Sequence, residues 1–274
     1  MPRITATLPN LTSEYPVPPA AIEAYRRDGH VLLRGVCTPD EIASYRSVLT
    51  EATYRYKTET RPMEERDTYG KAFLQIMNLW VHDDGARRFV LGRRFAKIAA
   101  DLLGARGVRL YHDQALYKEA AGGHTPWHQD QYYWPLGGDE TITMWMPLVD
   151  ADESMGTMTF ASGSHRSGFA GHLEISDESE AKLGRLVTEK GYRLARAGAM
   201  RAGDATFHSG WTLHSAPGNR TDRTREVITI IYYADGLRLI EPDNPHRQDD
   251  LDTWFPGQKP GEVAASELNP LVYP

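Results

Sequence analysis

His128 and Asp130, a histidine and an aspartate two residues apart, are the residues of this 274-residue chain that point most directly to chemistry. In an extended strand, side chains two residues apart lie on the same face, with Cα atoms about 6–7 Å apart. An imidazole and a carboxylate in that arrangement can bind one divalent metal ion. A second histidine from a neighbouring strand would complete a face of two histidines and one carboxylate with open positions, which suits non-haem Fe(II). We therefore predict a metal site at His128 and Asp130.

Two later histidines compete for the third ligand position. His214 lies near the end of the segment 207–216, and His208 would point to the same face as His214 if the whole segment were one extended strand. A Ser-Gly bend at 209–210 would interrupt the strand, so that the two side chains need not share a face. We therefore rank His214 ahead of His208 and keep His208 as the alternative ligand.

Arg225 follows His214 by eleven residues, an interval that fits a turn over 216–222 and a return strand. A buried guanidinium beside the metal could hold the distal carboxylate of a dicarboxylate cosubstrate through two parallel hydrogen bonds. The alternative is a surface ion pair of Arg225 with Asp222 or Glu226.

The elements that must position these residues are short strands. Residues 108–112, 115–118, 141–146, 156–160, 204–208 and 225–233 alternate apolar and polar residues between Gly, Pro and Asp turns. Several such strands predict a sandwich or barrel. Before them we predict a helix over 18–27, a strand over 30–36, a helix capped by Thr38 and Glu41, and a helix over 86–103.

We divide the chain as one domain, 1–274. Residues 1–18 form an extended arm, 19–105 a helical layer, 106–234 the β core and 235–274 an irregular, wrapping tail. The charged stretch within 170–195 is an insertion between strands, either a solvated face or a lid, since long insertions in compact domains are often functional.

Composition excludes several classes of protein. The charge is −6, from 31 Lys and Arg against 37 Asp and Glu, which argues against nucleic acid as a partner. Cys37 is the single cysteine, so neither an internal disulfide nor a cysteine metal cluster can form. The longest apolar run, 227–234, is far shorter than the roughly 18 residues of a membrane helix. Because the start also lacks an apolar signal segment, we expect a cytoplasmic protein without a membrane partner.

With these residues in place, the sequence resembles the phytanoyl-CoA dioxygenase (PhyH) family of Fe(II)/2-oxoglutarate-dependent oxygenases. The resemblance covers most of the chain and rests on the ordered segments 25–33, 39–42, 123–130, 145–148, 155–165, 202–204 and 213–220, followed by Arg225. The H-x-D, Gly-Ser-His and H-x₁₀-R elements are specific in that order, although none is specific alone.

The resemblance implies a mainly β fold, the double-stranded β-helix or jelly roll, with packed N-terminal helices. It implies His128, Asp130 and His214 as ligands of Fe(II), with 2-oxoglutarate and dioxygen as cosubstrates. Arg225 would bind the far carboxylate of 2-oxoglutarate. Three further residues would line the 2-oxoglutarate pocket by position: Gln114, Trp145 and Gln75.

One residue departs from the pattern of some relatives. They carry a serine two residues after the second iron histidine, where this chain has Ala216. One hydrogen bond to the cosubstrate would therefore be missing here.

The function implied is oxidation of a C–H bond in a small organic molecule, with release of succinate and CO2. Aromatic residues beside the ligands favour a secondary metabolite or an apolar acid as the substrate. Two alternatives remain open: a non-catalytic jelly-roll binding module, and a hydrolase that uses a divalent metal. The sequence leaves the oligomeric state undecided and is compatible with a homo-oligomer.

Overall fold

The computed structural model describes residues 8–274, and helices and strands alternate through this range. The helices are α1 (Pro19–Asp28), α2 (Pro39–Arg55), α3 (Thr68–Ala72), α4 (Leu79–His82), α5 (Asp84–Val90), α6 (Arg93–Leu103), α7 (Asp177–Glu189) and α8 (Pro245–Trp254). None of the helices within 8–274 has the length and apolar character needed to cross a bilayer.

The strands form two antiparallel sheets and one short pair. They are β1 (His30–Leu33), β2 (Leu74–Met77), β3 (Val108–Tyr117), β4 (Thr125–His128), β5 (Leu136–Gly137), β6 (Thr141–Pro147), β7 (Thr159–Ser162), β8 (Arg193–Arg196), β9 (Ala205–Ser209), β10 (His214–Ala216), β11 (Val227–Ala234), β12 (Arg238–Leu239) and β13 (Leu271–Tyr273). The larger sheet has the order β1-β9-β6-β11-β3-β13, with β2 also paired to β3. The smaller has the order β4-β10-β7-β8, and β5 pairs with β12.

The two faces of the larger sheet are chemically different. On β6, Ile142 and Met144 point into the main apolar core beneath the helices, whereas Thr143 and Trp145 point to the other side and line a cavity. This alternation follows from the two-residue period of a strand. The smaller sheet closes over the polar face, so the curled sheets enclose a cavity. The architecture is the predicted mainly β jelly roll with packed helices.

The helical layer departs from its prediction at two places. The predicted helix 86–103 is two helices, α5 and α6, which are separated at Leu91 and Gly92. A side chain at Gly92 would meet the Phe89 carbonyl at 2.9 Å, so glycine permits the tight turn between them. The segment 74–77, which we included in the helical layer, is strand β2 of the larger sheet.

Other N-terminal predictions agree with the structure. Thr38 accepts a hydrogen bond from the backbone N–H of Glu41, and the Glu41 side chain accepts one from Thr38, which is the predicted capping box. Further along the chain the structure differs from the prediction, because the predicted strands 108–112 and 115–118 are one continuous strand, β3. The part of the predicted arm at residues 1–7 lies outside the described residues.

The predicted tail is not simply irregular, because it contains α8 and two short strands. The Asn244 side chain caps α8 by accepting a hydrogen bond from the Arg247 N–H, and Pro245 occupies the first helical turn. Both are helix-start signals that the proline-rich composition of the segment obscured. In the insertion, α7 packs Leu183 and Val187 against Trp127 of β4.

Candidate active site

His128 and Asp130 lie where β4 ends and a short 3-10 turn, Asp130–Tyr132, begins. The strand is thus shorter than the H-x-D prediction assumed. Gln129 between them is still extended, with φ −121° and ψ 128°, so both side chains point to the same side. The Gln129 amide donates instead to the carbonyl oxygens of Gly168 and Trp211.

His214 on β10 lies directly opposite His128 in the antiparallel pairing of β10 with β4. Each histidine places its Nε2 atom 3.5 Å from Oδ1 of Asp130. One ligand atom from each of the three residues lies within 4.8 Å of the others. Residues from distant parts of the chain therefore converge on one point, as a metal site requires.

The hydrogen bonds of the two imidazoles fit a metal ion at that point. Nδ1 of His128 lies 2.7 Å from the Pro126 carbonyl oxygen, and Nδ1 of His214 lies 2.9 Å from the Thr212 carbonyl oxygen. Because a carbonyl only accepts, each Nδ1 carries the proton and each Nε2 offers a lone pair. Burial, followed by the neighbouring His128, holds the pKa of His214 well below its ordinary value. With this arrangement Nε2 of both histidines and Oδ1 of Asp130 are turned towards one point, which suits a bound cation.

Asp130 uses its two oxygens differently. Oδ2 accepts a hydrogen bond from Thr143 Oγ1 at 2.8 Å and from His208 Nε2 at 3.2 Å, which leaves Oδ1 for the two imidazoles. Burial acts to raise the pKa of Asp130, but His214 and the other imidazoles outweigh it, so that the pKa lies well below its ordinary value. Since an ionised carboxylate only accepts, His208 carries its proton on Nε2 and has no lone pair there. This geometry favours His214 over His208 as the third ligand.

Arg225 is buried and has no ion-pair partner among residues 8–274. Its Nη1 donates to the Gly156 carbonyl, and its guanidinium carbon lies 5.1 Å from the Trp145 ring centre. Its Nε has no hydrogen-bond partner in the described part of the chain. Burial lowers the pKa of Arg225 to about 9. The alternative of an ion pair with Asp222 or Glu226 is wrong, because the Glu226 carboxylate pairs with Arg46 at 2.7 Å instead.

A cavity of about 850 Å³ brings all seven sequence-predicted residues together. Its lining includes His128, Asp130, His214, Arg225, Gln114, Trp145 and Gln75. Gln75 accepts a hydrogen bond from the Tyr69 hydroxyl at 2.8 Å. Ala216 also lines the cavity, at the position where some relatives have serine.

Sequence reasoning missed two residues that support this site. Thr143, which donates a hydrogen bond to Asp130, lies two residues before Trp145 on β6. The two side chains therefore point to the same face, and the alternation of the strand could have identified Thr143 as a residue of the site. Lys118 is fully buried and donates to the Gly123 carbonyl. Its backbone bridges to that of Arg225, and burial, assisted by the charge of Arg225, lowers the pKa of Lys118 to about 6. Lys118 had no sequence signal, because its burial follows only from tertiary packing.

Comparison with known proteins agrees with the fold and the site. The sequence profile of the phytanoyl-CoA dioxygenase (PhyH) family matches residues 25–227. The ectoine dioxygenase of Streptomyces coelicolor is 22% identical over 246 residues, which cover 83% of this chain and 81% of that protein. A probable alpha-ketoglutarate-dependent hypophosphite dioxygenase of Stutzerimonas stutzeri is 24% identical over 174 residues, which cover 62% of this chain and only 60% of that protein's length.

Solved structures show the same architecture. The non-haem alpha-ketoglutarate-dependent carbocyclase SnoK from nogalamycin biosynthesis superposes with a TM-score of 0.76 at 23% identity, over 93% of this chain and 96% of that one. The epimerase SnoN, in complex with Fe3+, alpha-ketoglutarate and nogalamycin RO, has a TM-score of 0.73 at 28% identity, over 93% of this chain and 100% of that one.

Fold and family together define the class of this protein, an iron- and 2-oxoglutarate-dependent oxygenase. The chain belongs to the phytanoyl-CoA dioxygenase family. The predictions of an enzyme of this class, with iron, 2-oxoglutarate and dioxygen, are confirmed at the level of the family. The individual roles of the site residues stay proposals.

Proposed function

We propose that His128, Asp130 and His214 hold Fe(II), that Arg225 binds the distal carboxylate of 2-oxoglutarate, and that the enzyme oxidises a C–H bond of a small secondary metabolite. The observation that carries this proposal is the convergence of three potential ligand atoms in the cavity that Arg225 also lines. When bound, the iron, 2-oxoglutarate and dioxygen supply an oxidant for a C–H bond, with release of succinate and CO2.

The residues of the chain have separate tasks in this mechanism. Two histidines and one carboxylate would hold the metal from one side of the cavity, a ligand set that suits non-haem Fe(II). Thr143 and the backbone carbonyls that accept from the histidines fix the orientation of the ligands. Arg225 meets a carboxylate in a buried setting, where the uncompensated guanidinium gains most from a counter-charge.

Trp145, Gln114 and Gln75 complete the proposed cosubstrate pocket. Trp145 is buried and its ring faces the guanidinium of Arg225, so it helps to fix the plane of that group. Gln114 and Gln75 lie on the adjacent strands β3 and β2, and both line the cavity. Their amides offer the neutral donors and acceptors that orient a bound ligand.

Two alternatives raised by the sequence have less support. A non-catalytic module would need a filled or broken metal face, whereas the three ligand atoms border an open cavity. A hydrolase would give a buried, unpaired Arg225 no use. The cavity and the small-molecule relatives favour a small organic substrate, and the relation to SnoK and SnoN supports a secondary metabolite.

Location and partners are part of the proposal as well. Cys37 is a free, buried thiol, which suits the reducing cytoplasm. The absence of a nucleic-acid or membrane partner, and the homo-oligomer that the sequence allows, stay predictions.

Succinate formation without added substrate tests the proposal. The purified chain with Fe(II), ascorbate, 2-oxoglutarate and air should produce succinate slowly, and removal of dioxygen should stop it. Asp130→Ala should abolish the reaction, whereas Asp252→Asn on the exposed face of α8 should not change it. Turnover by Asp130→Ala with added iron would remove Asp130 from the ligand set, and turnover without dioxygen would favour the hydrolase.

A further inference from the structure

The cavity beside the proposed iron site is strongly acidic. Its described lining contains seven carboxylates but only one cationic Lys or Arg side chain, Arg225. Asp130 is assigned to the metal and Arg225 to 2-oxoglutarate, which leaves six carboxylates in the lining: Asp67, Glu174, Asp177, Glu178, Asp249 and Asp250. Two of them have partners, because Glu178 pairs with Lys182 at 2.5 Å and Glu174 lies 2.9 Å from Nε2 of His246. Away from Arg225, such a lining favours a cationic group of a ligand over an anionic one.

Asp250 is the one of these six carboxylates that buried aromatic side chains hold in a fixed orientation. Its Oδ2 accepts a hydrogen bond from the Tyr111 hydroxyl, and its Oδ1 accepts one from the Trp254 indole N–H at 3.2 Å. Both donors are neutral, and within residues 8–274 no Lys, Arg or His lies within ion-pair distance of Asp250. Burial raises the pKa of Asp250 to about 7, so the carboxyl is partly protonated near neutral pH and a cation bound beside it would favour its ionised form.

A β-bulge turns two consecutive residues towards this end of the cavity. Ile231 pairs with His112 and Tyr232 pairs with Leu110, so Tyr111 is the extra residue on β3. Tyr111 reaches Asp250, while His112 lines the cavity. A regular strand would have sent one of these two side chains to the opposite face.

His112 supplies an independent sign of a missing ligand. It is 2% exposed, and its Nδ1 has no hydrogen-bond partner among the residues that the structure describes. Burial lowers the pKa of His112 to about 3, which makes it a neutral imidazole. Because buried polar atoms are rarely left unpaired, this cavity-lining ring has unused hydrogen-bonding capacity.

We propose that the substrate carries a basic amine, and that Asp250 pairs with its ammonium group while His112 binds a neighbouring polar group. Asp177, an exposed carboxylate of the cavity lining, adds negative charge on the path of the cation. This inference rests on the proposed function, because it takes the cavity beside the iron as the substrate site. The acidic lining argues against the apolar acid that the sequence suggested as one substrate class.

Binding of three matched probes tests the inference. Phenethylamine, N-acetylphenethylamine and phenylacetate share a ring and a chain but differ in charge. Each is titrated by ligand-observed NMR into the anaerobic protein loaded with Mn(II) and 2-oxoglutarate, because paramagnetic broadening by Mn(II) also reports that the probe lies near the metal. Phenethylamine should bind about 10-fold more tightly than either other probe.

Variants connect this preference to Asp250. Asp250→Asn keeps an acceptor oxygen for one of the two donors but removes the charge, and should reduce the preference for the amine to less than 2-fold. Asp252→Asn, on the same helix and outside the cavity, should keep the wild-type preference. If Asp250→Asn fails to fold, the order in which the wild-type protein binds the three probes still tests whether the cavity prefers an amine.

The results separate this inference from the proposed function. Equal binding of the three probes, tighter binding of phenylacetate, no binding of phenethylamine, or an unchanged preference in folded Asp250→Asn would each overturn the amine proposal. Loss of succinate formation with an intact amine preference would instead overturn only the proposed oxygenase roles.

Discussion

Thr143 Oγ1 donates a hydrogen bond to Oδ2 of Asp130 at 2.8 Å, which leaves Oδ1 facing the imidazoles of His128 and His214. A hydroxyl on β6 thus selects which oxygen of a carboxylate beyond the end of β4 is available to a metal. The larger sheet thereby orients a group that belongs to the smaller one.

Thr143→Val should weaken metal binding by about 10–100-fold, the usual effect of removing a hydrogen bond that orients a ligand. The shape of the side chain is kept, so the core should not be disturbed. The matched control is Thr206→Val on β9, since the Thr206 hydroxyl is buried and has no hydrogen-bond partner from residue 8 onwards. Metal titration of both variants measures the effect, and equal affinities would contradict the orienting role of Thr143.

Replacement of the two competing histidines should have unequal effects. His214→Ala removes a ligand and should reduce metal affinity by more than the about 100-fold attributed to an outer hydrogen bond. His208→Gln keeps a donor towards Asp130 and should bind metal almost normally. Co(II) absorption spectra of the two variants provide the measurement. A larger loss in His208→Gln than in His214→Ala would reverse the assignment.

Arg225→Ala should raise the KM for 2-oxoglutarate by about 10–100-fold and change kcat less, because a charge-assisted hydrogen bond of about 1.5–3 kcal/mol is lost. Arg220→Ala, at an exposed position of the preceding turn, is the control and should leave this constant unchanged. Succinate formation at varied 2-oxoglutarate concentration gives both parameters. An unaltered KM in Arg225→Ala would reject the proposed contact.

Lys118→Met should change how stability depends on pH. Burial lowers the pKa of Lys118 from 10.5 to about 6, so between these values the unfolded chain binds one proton more than the folded chain does. The free energy of unfolding therefore gains about 1.4 kcal/mol per pH unit from this group as the pH rises through that interval.

The variant should lose that contribution to the slope, whereas Lys182→Met at an exposed position should keep it. Urea unfolding at pH 7, 8 and 9 measures the slopes. If Lys118→Met and the wild type had parallel pH profiles, Lys118 would be charged in the folded protein.

Local sequence patterns determined the main strands, a helix start and the relative placement of two of the proposed ligands. The two-residue alternation of 141–146 and 225–233 reflects strands with one face against the helices and one against the cavity, and it can be read without tertiary information. The capping box at Thr38 depends on neighbours three residues apart, and the extended backbone at Gln129 places His128 and Asp130 on one side. The types of the ligand residues also indicated the metal chemistry.

Only the tertiary structure decided how distant segments meet. The choice between His208 and His214 depends on the turn that carries the chain from the larger to the smaller sheet, and the pairing of His214 with His128 spans 86 positions. The bulge at Tyr111 and the contact of Tyr111 with Asp250 are equally non-local. Strand pairing, burial and the absence of a counter-charge arise from the packing of segments far apart in the chain, so periodicity along the sequence cannot specify them.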